Sequence, residues 1–258
     1  MTDISRPNTG SFSFAGRIAL VTGAARGIGE AIASELHAGG ARVAIADVDH
    51  AAAVALAQAL DPTRKTAVSV DLDVRSKDAF ERARDRLLGE WGAIDIIVNN
   101  AGLGKRTATA DISAAEFDEI VAINMRSVFF SCQVFGPYLQ KRKYGRIINI
   151  TSLAGQSGGT VAAAHYAASK AGAIMLTKFF ARELAASGVT VNSVSPGPIA
   201  TAKQRLSAAQ IAKVQSQVPL GRFGEAAEIA AAVALLASDR GGFFTGATLD
   251  INGGVYLR

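Results

Sequence analysis

One cysteine, Cys132, in 258 residues excludes an internal disulfide. Its setting, VFFSCQVF, is that of a packed core thiol. Long apolar runs are missing as well: no stretch approaches the roughly 18 uninterrupted apolar residues of a membrane-spanning helix. The opening MTDISRPNTGSFSF has no apolar core of the kind a secretory signal carries. A soluble chain in a reducing, cytoplasmic compartment is therefore expected. No Pro/Ser-rich linker or break in composition divides the sequence, and no solenoid-length repeat is present. Charge is modest, 19% against 49% hydrophobic residues, which excludes a disordered chain. The net charge of +5 invites nucleic acid as a partner. However, the basic residues are dispersed, with Arg82, Arg84 and Arg86 on one predicted helix and Lys141 to Lys143 ending another. They are not interleaved with stacking aromatics, so no nucleic-acid partner is expected. His165 stands without a cluster of potential ligands, and no metal site is expected.

What is present is a rhythm of short apolar runs and amphipathic stretches. RIALVTG (17–23), ARVAIAD (41–47), KTAVSVDLD, IDIIVNNAG, GRIINITS, VTVNSVSPG and ATLDING read as strands. Helices are expected at 27–39, 49–60, 76–90, 113–140, 161–187 and along EAAEIAAAVALLAS. Strands that are apolar throughout and separated by helices describe a parallel sheet covered on both faces. Right-handed crossovers then give a doubly wound α/β sandwich. The expectation is a short flexible tail over residues 1–15, followed by one domain over 16–258.

In such a sheet a ligand binds beyond the carboxyl ends of the strands. The first of those ends is VTGAARGIGEA, where Gly23, Gly27 and Gly29 span the turn into the first helix. Glycines there let backbone approach a pyrophosphate, whose charge a helix N-terminus favours. A turn of this kind also serves packing alone, so it does not decide the matter by itself. Asp47 closes the second strand, where a carboxylate can accept hydrogen bonds from ribose hydroxyls and repel a 2′-phosphate. It also suits an N-cap for the next helix. Val48 and Asp49 bring no cation, which favours NAD over NADP; Arg26, inside the loop, is the one residue placed to approach a 2′-phosphate.

Together these residues resemble the short-chain dehydrogenase/reductase family, over nearly the whole chain from about Gly16. TGAARGIG, which includes Arg26 and Ile28, is similar to its cofactor loop, and NNAG, with Asn100, Ala101 and Gly102, to its motif after strand four. Asn124, Ser152, Tyr166 and Lys170 are similar to its catalytic tetrad, and PGPIAT, with Pro196, Gly197, Ile199 and Thr201, to its loop over the nicotinamide. The resemblance implies a Rossmann fold, a nicotinamide cofactor and a homotetramer. Asp73 and Val74 are expected at the adenine, Ile199 and Thr201 at the nicotinamide amide. One departure stands out. The family usually separates its Ser and Tyr by thirteen positions, and Ser152 and Tyr166 are fourteen apart, the extra residue falling in GQSGGTVAAA.

The four-residue spacing of Tyr166 and Lys170 puts phenol and ammonium one helical turn apart. Free tyrosine, with a pKa near 10, is a poor base at neutral pH, and a neighbouring cation favours the phenolate. Tyr166 is thus expected as proton carrier with a lowered pKa. By the resemblance, Lys170 also holds the nicotinamide ribose, Ser152 the substrate oxygen, and Asn124 a proton-relaying water. For the substrate, Gln156 and His165 suit a polyhydroxylated compound, and Lys105 and Arg106 are either solvated or meet an anion. The favoured reading is an NAD-dependent dehydrogenase of a secondary alcohol, such as a sugar or polyol. The alternatives are an NADP-dependent reductase of a 3-oxoacyl thioester and a nucleotide-sensing scaffold without turnover.

Overall fold

A computed structural model describes residues 12–158, 162–200 and 207–257. Seven parallel strands form one sheet in the order β3-β2-β1-β4-β5-β6-β7. They are β1 (Ile18–Thr22), β2 (Arg42–Asp47), β3 (Ala67–Asp71), β4 (Ile96–Asn99), β5 (Gly145–Ile150), β6 (Val189–Pro196) and β7 (Thr248–Ile251). Every residue of β1, β4, β5 and β6 is buried, as strands covered on both faces must be. β7, at the edge, is only half-buried. One face carries α1 (Gly27–Ala38), α2 (His50–Leu60) and α9 (Ala226–Ala237), whose Ile32, Leu36, Ala53, Val233 and Leu236 share a core with Val43 and Ile45. The other face carries α3 (Lys77–Trp91), α5 (Ser127–Arg142) and α7 (Ala164–Leu184). There Phe80 meets Phe135 edge-on at 6.4 Å, beside Leu139, Phe180 and Leu184. Among the described residues, three further α-helices are α4 (Ala114–Val121), α6 (Ala154–Ser157) and α8 (Ala208–Gln215). This is a doubly wound Rossmann fold.

Three expected boundaries move. The tail expected over 1–15 ends too late: Phe14 is buried and its N–H donates to Gly39 O at 2.7 Å, so the aromatic clasps the end of α1; residues 1–11 lie outside the described set. The single helix expected over 113–140 is α4 and α5 joined by a π-helical turn, Ala122–Arg126. The wider turn inserts a residue into the helical repeat and lets Asn124 face inward where a straight α-helix would have carried it round. The helix expected over 161–187 runs from Ala164 to Leu184, followed by a 3₁₀ turn, Ala185–Ser187; residues 159–161 are not among those described.

Candidate active site

β1 pairs with β2 on one side and β4 on the other, so the crossover from β3 to β4 opens a crevice at their carboxyl ends. A cleft of about 750 Å3 lies there. Its cofactor side is backbone packed on backbone. A Cβ on Gly29 would fall 2.3 Å from Gly23 O, and one on Gly23 would fall 2.7 Å from Ala101 Cα. Gly23 and Gly27 both have positive φ, at 61° and 62°. Thr22, which the sequence reading passed over, joins the two turns. Its hydroxyl accepts from the backbone N–H of Asn100 and of Ala101, each at 3.1 Å, and faces Val98 O at 3.3 Å. Asn100 Nδ2 returns bonds of 2.9 Å to Thr22 O and Gly23 O. α1 begins at Gly27 and its N-cap residue Arg26 makes no side-chain cap, leaving the first N–H groups of the helix uncapped at the cleft, whereas α2, α3 and α4 are capped by Asp49, Ser76 and Ser113.

At the far end Asp47 accepts from Ala25 N–H through Oδ2 and from Asp49 N–H through Oδ1, both at 3.0 Å. The carboxylate thus fixes the glycine loop and α2 together. Arg26 forms an ion pair with Asp49, whose other oxygen caps Ala52 at 3.2 Å. Both oxygens of Asp73 are engaged by Arg75, and this guanidinium holds its carboxyl below the usual range. Ile28, Val74, Gly102, Pro196 and Gly197 line the same cleft, as does Ile199, which bridges to Gly224. Gly197 is obligatory, since a Cβ would lie 2.7 Å from Asn252 Cα. Every expected catalytic or cofactor residue among those described lines the cleft except Asn124; Thr201 lies outside the described residues.

At the other end α7 delivers Tyr166 and Lys170. Tyr166 and Ser152 line the cleft together, and the Ser152 hydroxyl acts on the phenol. The extra residue between them therefore does not part the pair. Thr151, the other hydroxyl, is committed to Val194 O at 3.0 Å. The expected lowering of the phenol pKa is not found in the free protein. Burial raises it, with the Ser152 hydrogen bond acting the other way. Lys170 is itself buried, donates to Ile150 O at 2.8 Å, stands 5.9 Å from the Tyr166 ring centroid, and is brought down to about 8 by desolvation.

Asn124 sits behind the cleft. Its Oδ1 accepts from Leu103 N–H and its Nδ2 donates to Leu103 O, each at 2.9 Å, with a further bond of 3.1 Å to Ser169 Oγ. Ser169 in turn donates to Tyr166 O at 2.7 Å. Both amide hydrogens are spent, so the water expected at Asn124 has no side-chain donor to rest on. Lys105, expected in solvent or near an anion, pairs with Glu119 at 2.8 Å. Gln156 is tied to Ser195 and Asp250, and His165 is sealed against Glu116 and Phe117, so neither lines the cleft. Among the described residues, Leu103, Gly104, Ile123 and Pro198 also line the cleft with Tyr166.

Residues 23–256 match the family described as enoyl-(acyl carrier protein) reductase. The chain is 42% identical to the 3-oxoacyl-(acyl-carrier-protein) reductase FabG of Haemophilus influenzae, over 94% of this chain and 99% of the relative. It is also 42% identical to the protein of that name from Escherichia coli K12, over 95% and 99%. An uncharacterized short-chain type dehydrogenase/reductase of Sinorhizobium fredii is 38% identical, over 94% and 98%.

Proposed function

The chain belongs to the short-chain dehydrogenase/reductase family, and from that premise we propose that it moves hydride between NAD and a secondary alcohol or ketone. The observation that carries this reading is the convergence of Ser152, Tyr166 and Lys170 on one glycine-walled cleft, with Tyr166 and Lys170 one helical turn apart on α7. A cleft whose walls lack the Cβ atoms of Gly23 and Gly29 suits a pyrophosphate held by backbone N–H groups.

A bound nicotinamide supplies or accepts hydride at the substrate carbon. Tyr166 Oη carries the matching proton, giving it to a ketone oxygen or taking it from a hydroxyl. Its raised pKa keeps Oη protonated at neutral pH, the state that ketone reduction needs. Ser152 Oγ donates toward the substrate oxygen as charge develops. Lys170, with one N–H on Ile150 O, retains two for ribose hydroxyls when charged. Asn124 holds Leu103 and, through Ser169, the backbone of Tyr166.

NAD is favoured over NADP by two carboxylates. Asp47 stands at the end of β2, and Asp49 neutralises the loop cation, Arg26, that a 2′-phosphate would otherwise meet. As to substrate, the withdrawal of Gln156 and His165 from the cleft leaves a sugar no better supported than other hydroxy compounds. Reduction of a 3-oxoacyl thioester is the second reading, favoured by the names of the relatives and by the apolar lining of Leu103, Ile123 and Pro198. A homotetramer is proposed from the apolar patch of Phe129, Met175 and Phe179, of which Met175 is 62% exposed; a monomer in sedimentation would sink it. The deciding assay follows reduced-nicotinamide absorbance with secondary alcohols, polyols and 3-oxoacyl thioesters, each with NAD and NADP. Turnover that survives Tyr166→Phe undiminished would overturn the reading.

A further inference from the structure

We propose that Glu116 and His165 are positioning residues that pin the loop following β4 over the substrate end of the cleft. The inference rests on the reading of the Tyr166 end as the substrate end. The loop comes so close to Tyr166 that a Cβ on Gly104 would lie 3.7 Å from ring carbon Cε2. Residues 101–108 form neither helix nor strand, so no ladder of their own holds them there. They are fastened from two sides instead. On the inner side the Asn124 amide pairs with both the N–H and the carbonyl of Leu103. On the outer side the fastening is Glu116.

Glu116 is itself fixed in place. Its backbone N–H donates to Ser113 Oγ at 3.1 Å in the first turn of α4. Its carboxylate is 3.0 Å from His165 Nε2 and 3.9 Å from Lys105 Nζ, and the Thr107 side chain acts on it as well. The Thr107 hydrogen bond first, and then Lys105 and His165, hold this carboxyl below its ordinary range against the effect of burial. One ionised group thereby joins two loop residues to two helices.

His165 is the unexpected member. It is fully buried, stacks on Phe117 at 6.4 Å, and its Nδ1 has no partner among the described residues. A ring kept for packing alone would be apolar, because an imidazole with one unpartnered nitrogen bears an uncompensated desolvation cost. What the imidazole provides is the bond to Glu116. It stands directly before Tyr166 in the first turn of α7, so the anchor of the loop and the proton carrier share one turn of helix. The loop's height above Tyr166, and with it the room for substrate, follows from that joint.

The test uses the full chain with Glu116→Ala, His165→Phe, their double variant, and His165→Gln, which restores an N–H donor. Hydrogen exchange of the free protein should quicken about tenfold at residues 103–108 in each apolar variant, and no further in the double variant, as one shared joint requires. The KM for the carbonyl or alcohol substrate should rise about tenfold, with cofactor Kd within about twofold of the parent and partial recovery in His165→Gln. Unchanged exchange in the loop overturns the proposal. So does quickening spread along the whole of α7 with cofactor affinity falling in step, which is what a merely structural role would give. A parent protein that turns over no alcohol or ketone sinks the functional reading, while the exchange data still decide the pinning.

Discussion

At the glycine-loop end of the cleft the walls are main chain: Gly23, Gly29 and Ala101 meet backbone to backbone, and Asp47 acts on backbone N–H groups. At the Tyr166 end the walls are set by side chains that find one another from afar, Asn124 on Leu103 and Glu116 on His165, 49 residues apart. The difference has a physical origin. A pyrophosphate and two riboses are the same for every alcohol, so their binding can be fixed by local backbone shape. A substrate differs from enzyme to enzyme, and room for it is adjusted by changing side chains without disturbing the sheet.

The sharpest way to separate the two ends is Tyr166→Phe. It should lower kcat/KM by about 10³-fold or more while leaving cofactor affinity intact, as read by steady-state rates and by fluorescence titration of the reduced cofactor. Gly29→Ala should do the reverse. Its methyl would fall 2.3 Å from Gly23 O and 2.5 Å from Asn100 Nδ2, where backbone cannot yield. Cofactor Kd should weaken by about tenfold to a hundredfold, with a lowered melting temperature, from overpacking of about 1–3 kcal/mol.

These two experiments also mark what was legible in the sequence. The spacings among Gly23, Gly27 and Gly29 and between Tyr166 and Lys170 are only a few positions, and spacing of that kind survives in a linear string. The strands were legible for the same reason, since β1, β4 and β5 are buried on both faces. The π turn at Asn124 was not, because the apolar pattern runs unbroken through it. Nor were the partners of Lys105 and His165, or the depressed Lys170, since burial and long-range pairing depend on the closed fold.

A smaller effect probes the glycine-loop end from within. Asp47→Ala should reduce the preference for NAD over NADP by about tenfold in kcat/KM, through lost ribose bonds and a lost repulsion. An unchanged ratio would refute the assignment. Because Asp47 also holds Ala25 and Asp49, both affinities should weaken together with the change in ratio.

The smallest effect belongs to Lys170. In the unfolded chain it keeps its proton to about 10.5, and in the folded protein only to about 8. Between those values the unfolded state binds more protons, so folding stability gains from this group as pH rises through that window. Thermal melts at pH 7.5 and 9.5 should show a gain in the parent relative to Lys170→Met; equal slopes in both proteins would remove the desolvation argument.

Thr22 carries a consequence for the order of events in folding. Its hydroxyl organises Asn100, 78 residues further on, and Asn100 in turn ties down Gly23. The glycine loop is therefore finished only after the chain has closed that long circuit and β4 has docked beside β1, a slow, non-local step. A nucleotide has nothing to hold until then. Its capture would report that folding is complete, and would rescue native molecules by mass action without speeding their formation.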